Sequence, residues 1–353
     1  MSTLFPTSVC GSMPRPQFVR DLIADDTTFA PEERDNALDA AIRYIVSLQE
    51  CAGLDVITDG EWRRKSYLGV MAELAAGFEQ TTHPDDGRPM TCVTEKLSGL
   101  NPGFIAREIR FLKSITTRRI KATLPSPALL GERLWDPVKS AKAYPARDDF
   151  VRDCVPILRQ EIALICEAGA DIVQIDDPHL CLFVDPDIRR QYSHPDQAAD
   201  FAVEMTNQMI AGIAATFAVH LCRRAGGRAR GEVAHAGGYE PILAQLNRLQ
   251  VQHLTMEFSA PAAGELSVLR RLRHDIEIGL GCIDVTPGVI DSLHTVVARV
   301  EAACRYVDKQ RLTLNPDCGF APGSAARVDL DEVYRKLQVE TAAAAVLRER
   351  HGC

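Results

Sequence analysis

The sequence predicts an α/β fold, a (β/α)8 TIM barrel with an irregular insertion after strand 2. The chain has 353 residues, a length typical of a barrel with insertions. Eight segments along it are apolar nearly throughout, as in parallel strands covered on both faces, and most precede a helical pattern. Nearly every segment ends in ligand-like residues: Ser12, Glu61, Asp176, Cys222, Glu257, Asp284 and Cys318. A barrel of this type places its active site at these strand ends.

The candidate strands follow each other at intervals that leave room for helices. In order they are Thr7–Ser12, Leu54–Glu61, Arg119–Pro127, Ala170–Pro178, Phe217–Cys222, His253–Phe258, Ile276–Asp284 and Leu312–Phe320. A doubly wound open sheet is the alternative fold. No GxGxxG motif follows the first strand to favour it.

Helical periodicity fills most of the intervals. A helix from about Glu32 to Cys51 carries an apolar face, and Gly53 follows as a stop signal. Further helices are expected near Val155–Glu167, Ala198–Ala215, Pro241–Leu249 and Gly288–Val307, and a last one carries Val333, Leu337 and Ala344. Residues 63–117 show no clear strand–helix rhythm, which is typical of a lid or binding loop. We therefore expect one domain over residues 1–353 with an insertion at 63–117.

Composition excludes several classes of protein. The net charge is −8 and no basic stripe is present, which argues against a nucleic-acid partner. No apolar stretch approaches the length of a membrane span, and no secretory signal is visible. The 11 cysteines are scattered without a disulfide-like spacing, which indicates reduced thiols. These features favour a cytoplasmic protein.

The fifth candidate strand ends in His-x-Cys. Because residues i and i+2 of a strand point to the same face, His220 and Cys222 can reach one point together. An imidazole and a thiolate at one point favour zinc. In a barrel, Glu257 and Cys318 reach the same rim and complete a tetrahedral set. His235 and Cys282 are rival ligands, and any single buried cysteine is more often structural.

A resemblance to a known family rests on several motifs. The order HLC, MEF and NPDCGF resembles the catalytic half of cobalamin-independent methionine synthase. The same is true of CGS-x-P at Cys10–Pro14, DGE at Asp59–Glu61 and QIDDP at Gln174–Pro178. The match spans nearly the whole chain and fits the short, single-barrel members of the family. It implies a zinc-containing TIM barrel that transfers a methyl group to homocysteine, giving methionine.

The resemblance also implies roles for single residues. The implied zinc ligands are His220, Cys222, Glu257 and Cys318. Ser12, Glu61 and Asp176 would hold the amino-acid part of homocysteine, and Asp176 and Asp284 would be the catalytic carboxylates. Glu61 could instead form a salt bridge with Arg63 or Arg64, and Asp176 or Asp177 could cap the next helix.

The implied ligand set suits methyl transfer to sulfur. Two thiolates and a carboxylate leave Zn²⁺ with a net negative charge, so the ion is a poor Lewis acid for water. It still lowers the pKa of a coordinated thiol. Hydrolysis would instead favour neutral histidine ligands.

The chain departs from the family pattern in two places. Thr286 stands where the full synthase has a histidine that helps to protonate the folate leaving group, and Asp177 stands where a glutamate is usual. Threonine is no general acid near neutral pH, so Thr286 favours a corrinoid donor such as methylcobalamin over methyltetrahydrofolate. His294 or His179 could substitute as the acid. The insertion at 63–117 could shape a wide opening or dock a corrinoid-carrying protein.

Two other functions compete with this interpretation. A zinc-thiolate alkyltransferase or lyase could act on another small thiol, although Glu61 and Asp176 favour a thiol that carries an ammonium group. A zinc-binding barrel without catalysis is the non-enzymatic alternative, and it would be expected to lose these acids.

Overall fold

A parallel sheet of seven strands forms the centre of the molecule. The structure is a computed structural model that describes residues 3–24, 29–82, 89–223, 235–321 and 329–352. These residues contain nine strands, of which β2 and β3 lie outside the seven-stranded sheet. They are β1 (Val56–Ile57), β2 (Ala75–Thr82), β3 (Pro89–Gly99), β4 (Arg119–Pro125), β5 (Ile172–Asp176), β6 (Phe217–Leu221), β7 (His253–Glu257), β8 (Glu277–Ile283) and β9 (Leu312–Pro316). The order in the sheet is β1-β4-β5-β6-β7-β8-β9, with parallel neighbours throughout.

The N-terminal segment closes this sheet into a barrel. Thr7 pairs in parallel with Leu314 of β9, and Ser8 pairs in parallel with Val56 of β1. Both edge strands of the sheet therefore pair with one segment, which occupies the first of the eight strand positions of the barrel. This confirms the predicted (β/α)8 barrel. The first candidate strand was expected to extend to Ser12, but its ladder is limited to two residues, after which the chain turns into the site described below.

Twelve α-helices within the described residues follow or flank the strands. They are α1 (Gln17–Ile23), α2 (Pro31–Ala52), α3 (Val70–Leu74), α4 (Phe104–Ile115), α5 (Pro127–Leu134), α6 (Arg147–Glu167), α7 (Pro178–Leu182), α8 (Pro186–Arg189), α9 (Pro195–Ile210), α10 (Leu243–Arg248), α11 (Leu293–Ala303) and α12 (Leu330–His351). Within the same ranges, no helix has the length and apolar character that a bilayer crossing requires.

Residues 63–117 contain more regular structure than the sequence indicates. Strands β2 and β3 form an antiparallel hairpin between α3 and α4. The hairpin bulges at Gly77, whose φ of 114° favours glycine. The Tyr144 hydroxyl accepts a hydrogen bond from Leu97 N of β3 at 2.8 Å, which ties the hairpin to the segment before α6. The sequence missed the hairpin because the polar residues near its turn interrupt the strand alternation.

Candidate metal centre and amino-acid pocket

Three of the four predicted ligands meet at the carboxyl end of the barrel. His220 lies in β6 and Cys222 follows it, so the pleat turns both side chains to one side. One ligand atom each from His220, Cys222 and Cys318 lies within 4.8 Å of the others, and all three residues are buried. The two sulfur atoms are 2.9 Å apart. Among the described residues, this is the one cluster of its kind, and it includes neither His235 nor Cys282.

Asp317 fixes the turn that carries Cys318. Its backbone N–H donates to Ile283 O at 3.0 Å, and its Oδ1 accepts from Phe258 N and Ser259 N at 3.1 Å each. The turn after β9 is thereby tied to the ends of β7 and β8. This explains how a cysteine so distant in sequence reaches the His-x-Cys pair.

His220 is oriented by a carboxylate. Its Nδ1 lies 3.0 Å from Asp176 Oδ1, and the same oxygen accepts from Gln174 Nε2 at 2.8 Å. Gln174 Nε2 also donates to Cys10 O at 2.7 Å. Burial lowers the pKa of His220, but the neighbouring Cys10 and Asp176 more than offset this and raise it above its usual value. An imidazole whose Nδ1 bonds a carboxylate presents Nε2 to a metal, the arrangement found around many zinc-bound histidines.

Glu257 lies on the same rim but faces another partner. It ends β7 and is buried, yet its carboxylate does not belong to the three-residue cluster. Its Oε1 accepts from the backbone N–H of Arg223 at 3.0 Å, and its Oε2 lies 3.9 Å from Arg223 Nη1. The rival ligand His235 pairs through Nδ1 with Asp185 at 2.9 Å.

Glu61 is held in a left-handed backbone conformation, with φ of 59°. Its N–H donates to Asp59 Oδ1 at 2.9 Å, and its carbonyl oxygen accepts from Arg15 Nη2 at 2.7 Å. The Thr123 hydroxyl donates to Glu61 Oε1 at 2.8 Å. A Cβ on Gly11 would lie 2.9 Å from the same oxygen and 3.0 Å from Thr123 Cγ2, so the segment after the first strand needs glycine there. Asp59 and Arg15 thus hold the backbone of Glu61, and Thr123 and Gly11 lie against its carboxylate.

The electrostatics of Glu61 connect it to the ligand cluster. Burial raises the pKa of Glu61, the Arg64 guanidinium opposes the rise, and the charge of Asp176 adds to it. Arg64 Nη1 lies 3.9 Å from Glu61 Oε1, but its closest ionic partner is Glu108, at 2.6 Å. Asp176, which lies beside His220, and Glu61 therefore repel each other when both are ionised. A substrate ammonium group between them would relieve their mutual repulsion.

The alternatives for the neighbouring residues are resolved by their contacts. Arg63 forms an ion pair with Asp39 rather than with Glu61. Asp177 caps α7 by accepting a hydrogen bond from Leu180 N at 2.8 Å, whereas Asp176 bonds His220. Burial raises the pKa of Asp177 to about 6. The helix-capping alternative therefore holds for Asp177, whereas Asp176 bonds the histidine of the cluster.

Ser12 lies beside the segment that carries Cys318. Its carbonyl oxygen accepts from Phe320 N at 2.9 Å, and its hydroxyl oxygen accepts from Ala321 N at 3.3 Å. The N-terminal segment and the turn after β9 are therefore in contact at Ser12. The hydroxyl hydrogen of Ser12 is a donor of the kind that can bind a carboxylate.

Asp284 and Thr286 occupy the turn after β8. Thr286 N donates to Asp284 Oδ1 at 2.8 Å, and Thr286 O accepts from Lys336 Nζ at 2.7 Å. These contacts stabilise the turn and give Asp284 a structural partner. Of the two substitute acids, His294 is exposed at the start of α11, and His179 is buried against the rings of Phe183 and Tyr192.

Sequence reasoning missed three residues at the site. Cys10 lies next to His220 and donates to Pro316 O at 3.0 Å. Burial raises the pKa of Tyr67, the charge of Arg133 opposes the rise, and Asp176, Cys222 and Cys318 add to it, so the charges of the cluster act on this tyrosine. Arg223, directly after Cys222, bonds Glu257. Adjacency to the CGS and His-x-Cys motifs could have indicated Cys10 and Arg223, but nothing local indicates Tyr67.

Comparisons with known proteins agree with this architecture. A family model described as "Cobalamin-independent synthase, Catalytic domain" matches residues 5–345. A methionine synthase of Sulfolobus acidocaldarius is 26% identical, with 90% of this chain and 86% of that protein covered. A methionine synthase of Saccharolobus islandicus is 28% identical, with 90% and 88% covered.

Solved structures show the same fold. A B12-independent methionine synthase from Shewanella sp. W3-18-1, in complex with selenomethionine, superposes with a TM-score of 0.80 at 22% identity, covering 99% of both chains. A putative vitamin-B12-independent methionine synthase from Listeria monocytogenes gives a TM-score of 0.74 at 23% identity, covering 98% of this chain and 99% of that one. The family match and the shared fold lead to one conclusion: this chain belongs to the cobalamin-independent methionine synthase family, in the part that forms the catalytic domain.

Proposed function

We propose that this protein is a zinc-dependent methyltransferase that moves a methyl group to the thiol of homocysteine, giving methionine. The observation that carries the proposal is the His220–Cys222–Cys318 cluster, linked through Asp176 to the buried carboxylate of Glu61. A thiolate-rich metal centre and an acidic pocket for an ammonium group together suit an amino acid that carries a thiol. The curated relatives named methionine synthase support the same reaction.

The donor atoms of the site fit a zinc ion. Two sulfur atoms and an imidazole converge within 4.8 Å, and Zn²⁺ prefers such soft and borderline ligands. Glu257 on the same rim would be the fourth ligand. A zinc ion in this environment supplies a lowered pKa for the substrate thiol. Asp176 and Gln174 orient the imidazole, and the buried surroundings of the cluster exclude bulk water.

The amino-acid pocket would orient the substrate. Glu61 and Asp176 would bind the ammonium group of homocysteine, and the Ser12 hydroxyl with nearby backbone amides would bind its carboxylate. These three contacts would fix the direction in which the thiol approaches the cluster. A small thiol without an ammonium group would leave the mutual repulsion of Glu61 and Asp176 without a cation between them, which disfavours the alkyltransferase and lyase alternatives.

The identity of the methyl donor is a separate part of the proposal. A corrinoid donor, which Thr286 favours, has no support in the comparisons, because the family model and the structural neighbours are named for independence from cobalamin or B12. We therefore propose methyltetrahydrofolate as the donor. Thr286 cannot protonate the departing folate amine, so turnover is expected to be slow, and Thr286→His is expected to raise it.

The test offers both donors side by side. Purified protein with zinc and homocysteine would receive methyltetrahydrofolate in one arm and methylcobalamin in the other, and methionine would be quantified. We expect methionine in the folate arm. Methionine in the methylcobalamin arm alone would overturn the folate proposal, and none in either arm would overturn the proposed acceptor. A parallel arm with a small thiol that lacks an ammonium group measures acceptor specificity.

A further inference from the structure

Arg223 is a buried cation beside the ligand cluster. It directly follows Cys222, and only 1% of its surface is exposed. Its Nη2 donates to Ala263 O at 2.9 Å, and its guanidinium lies 4.2 Å from the ring centre of Tyr239. Within the described ranges, its Nε and Nη1 have no hydrogen-bond partner. Burial of a charged group whose N–H donors lack partners costs free energy, so the presence of an arginine at this position points to a role for its charge.

The carboxylate that faces this cation is Glu257. Its Oε2 lies 3.9 Å from Arg223 Nη1, while its Oε1 accepts from Arg223 N at 3.0 Å. The Tyr239 hydroxyl accepts from Glu257 N at 2.9 Å and fixes the main chain of the strand end. With the backbone fixed, the carboxylate of Glu257 can reach either the guanidinium or the cluster only by rotation of its side chain.

We propose that Arg223 is a positioning residue that competes with the metal ion for the carboxylate of Glu257. This inference rests on the metal centre proposed above. The guanidinium attracts the carboxylate and repels a divalent cation at the cluster, and both effects weaken metal binding by Glu257. The fourth ligand position would then be held loosely, which leaves it accessible to the thiol of the substrate.

The test is the zinc affinity of Arg223→Met, measured by competition with a chromophoric chelator. Methionine fills much of the space of the arginine stem but carries no charge. We expect zinc affinity to rise about tenfold, because groups next to metal ligands commonly change affinity by factors of about 10–100. The KM for homocysteine is expected to rise in the same variant. Unchanged or lower zinc affinity would overturn the proposal.

A double-mutant cycle shows whether Arg223 acts through Glu257. In the Glu257→Gln background, Arg223→Met should raise zinc affinity much less than it does with Glu257 present, because the competition for the carboxylate is gone and only the repulsion between the guanidinium and the ion is removed. A rise of the same size in that background would contradict the proposed route. Arg311→Met is the matched control, since Arg311 bonds Ile276 O and Arg273 O at the opposite end of the barrel. Thermal melting of each variant reports whether it folds.

The affinity assay also separates this inference from the proposed function. Failure of the wild-type protein to bind zinc would overturn the metal centre itself. Wild-type binding with no difference in Arg223→Met would overturn only the role of Arg223.

Discussion

At Glu61 the backbone adopts a conformation that costs a non-glycine residue roughly 1–3 kcal/mol. Asp59, Arg15 and Thr123 offset this cost through the hydrogen bonds that they form with Glu61. The strain coincides with the residue that the resemblance assigns to the substrate ammonium group. The hydrogen bonds around Glu61 therefore hold its carboxylate in place at the cost of local backbone strain.

Substitutions at the two pocket acids should separate their roles. Glu61→Gln and Asp176→Asn are each expected to weaken homocysteine binding by roughly 2–5 kcal/mol, as for a buried charge pair that loses one member. Asp176→Asn should also weaken zinc binding, by roughly 10–100-fold, because Asp176 orients His220. Calorimetric titration with homocysteine and chelator competition measure the two effects. Normal homocysteine binding in both variants would show that the pocket lies elsewhere.

Cys318 provides the residue-scale test of the metal centre. Cys318→Ser removes one of the two sulfur atoms of the cluster, which come from distant parts of the chain. Zinc content is expected to fall from near one per chain to a small fraction, as measured by elemental analysis of purified protein. Cys282→Ser is the control, because Cys282 is buried but lies outside the cluster. Full zinc retention in Cys318→Ser would exclude Cys318 as a ligand.

At the scale of elements, the β2–β3 hairpin is the largest departure from a simple alternation of strands and helices. Its bulge lets two strands of unequal length stay paired while the ribbon bends. Gly77 at the bulge combines a positive φ with carbonyl oxygens of Glu95 and Lys96 nearby.

Two glycines in this hairpin form a matched pair of variants. At Gly77 an added Cβ would lie 3.0 Å from Glu95 O, so Gly77→Ala should lower stability by roughly 1–3 kcal/mol. At Gly99 an added Cβ would meet nothing within 4 Å, so Gly99→Ala should change it little. Urea unfolding of both variants measures the difference. Equal stability of the two would show that the bulge tolerates a side chain.

At the scale of the whole molecule, the two ends of the chain meet at Glu340. This residue lies in α12, is fully buried, and accepts from Ser8 N of the barrel-closing segment at 3.1 Å. Burial raises the pKa of Glu340 to about 8, although the Ser8 hydrogen bond and the charge of Lys121 oppose the rise. Burial lowers the pKa of Lys121, which shares the same interior.

The raised pKa of Glu340 predicts a pH dependence of stability. An unfolded glutamate releases its proton near pH 4.3, whereas the folded protein retains it until about pH 8. The native state therefore binds more protons across this window, and the stabilisation is lost as pH rises through it. Glu340→Gln removes this loss. The melting temperature of this variant, relative to that of the wild type, should therefore rise as the pH increases from 5 to 8. A constant difference across that range would contradict the raised pKa.

The barrel and the meeting of His220, Cys222 and Cys318 were both predictable from local signals in the sequence. Apolar strands, helical periodicity and polar strand ends are local signals, and the period of two in a strand places His220 beside Cys222. The location of Cys318 also followed, since all parallel strands of a barrel end on one rim. These predictions needed only the repeating geometry of the backbone.

The orientation of the side chains at this rim depends on long-range contacts that the sequence does not reveal. The ladder of the first strand shrank to Thr7 and Ser8 because the chain beyond them packs against the turn after β9. Glu257 faces Arg223 instead of joining the cluster, and Asp176 bonds His220. The hairpin within 63–117 is tied to the barrel through Tyr144. Each outcome depends on charges and contacts between residues far apart in sequence, and local periodicity carries no information about them.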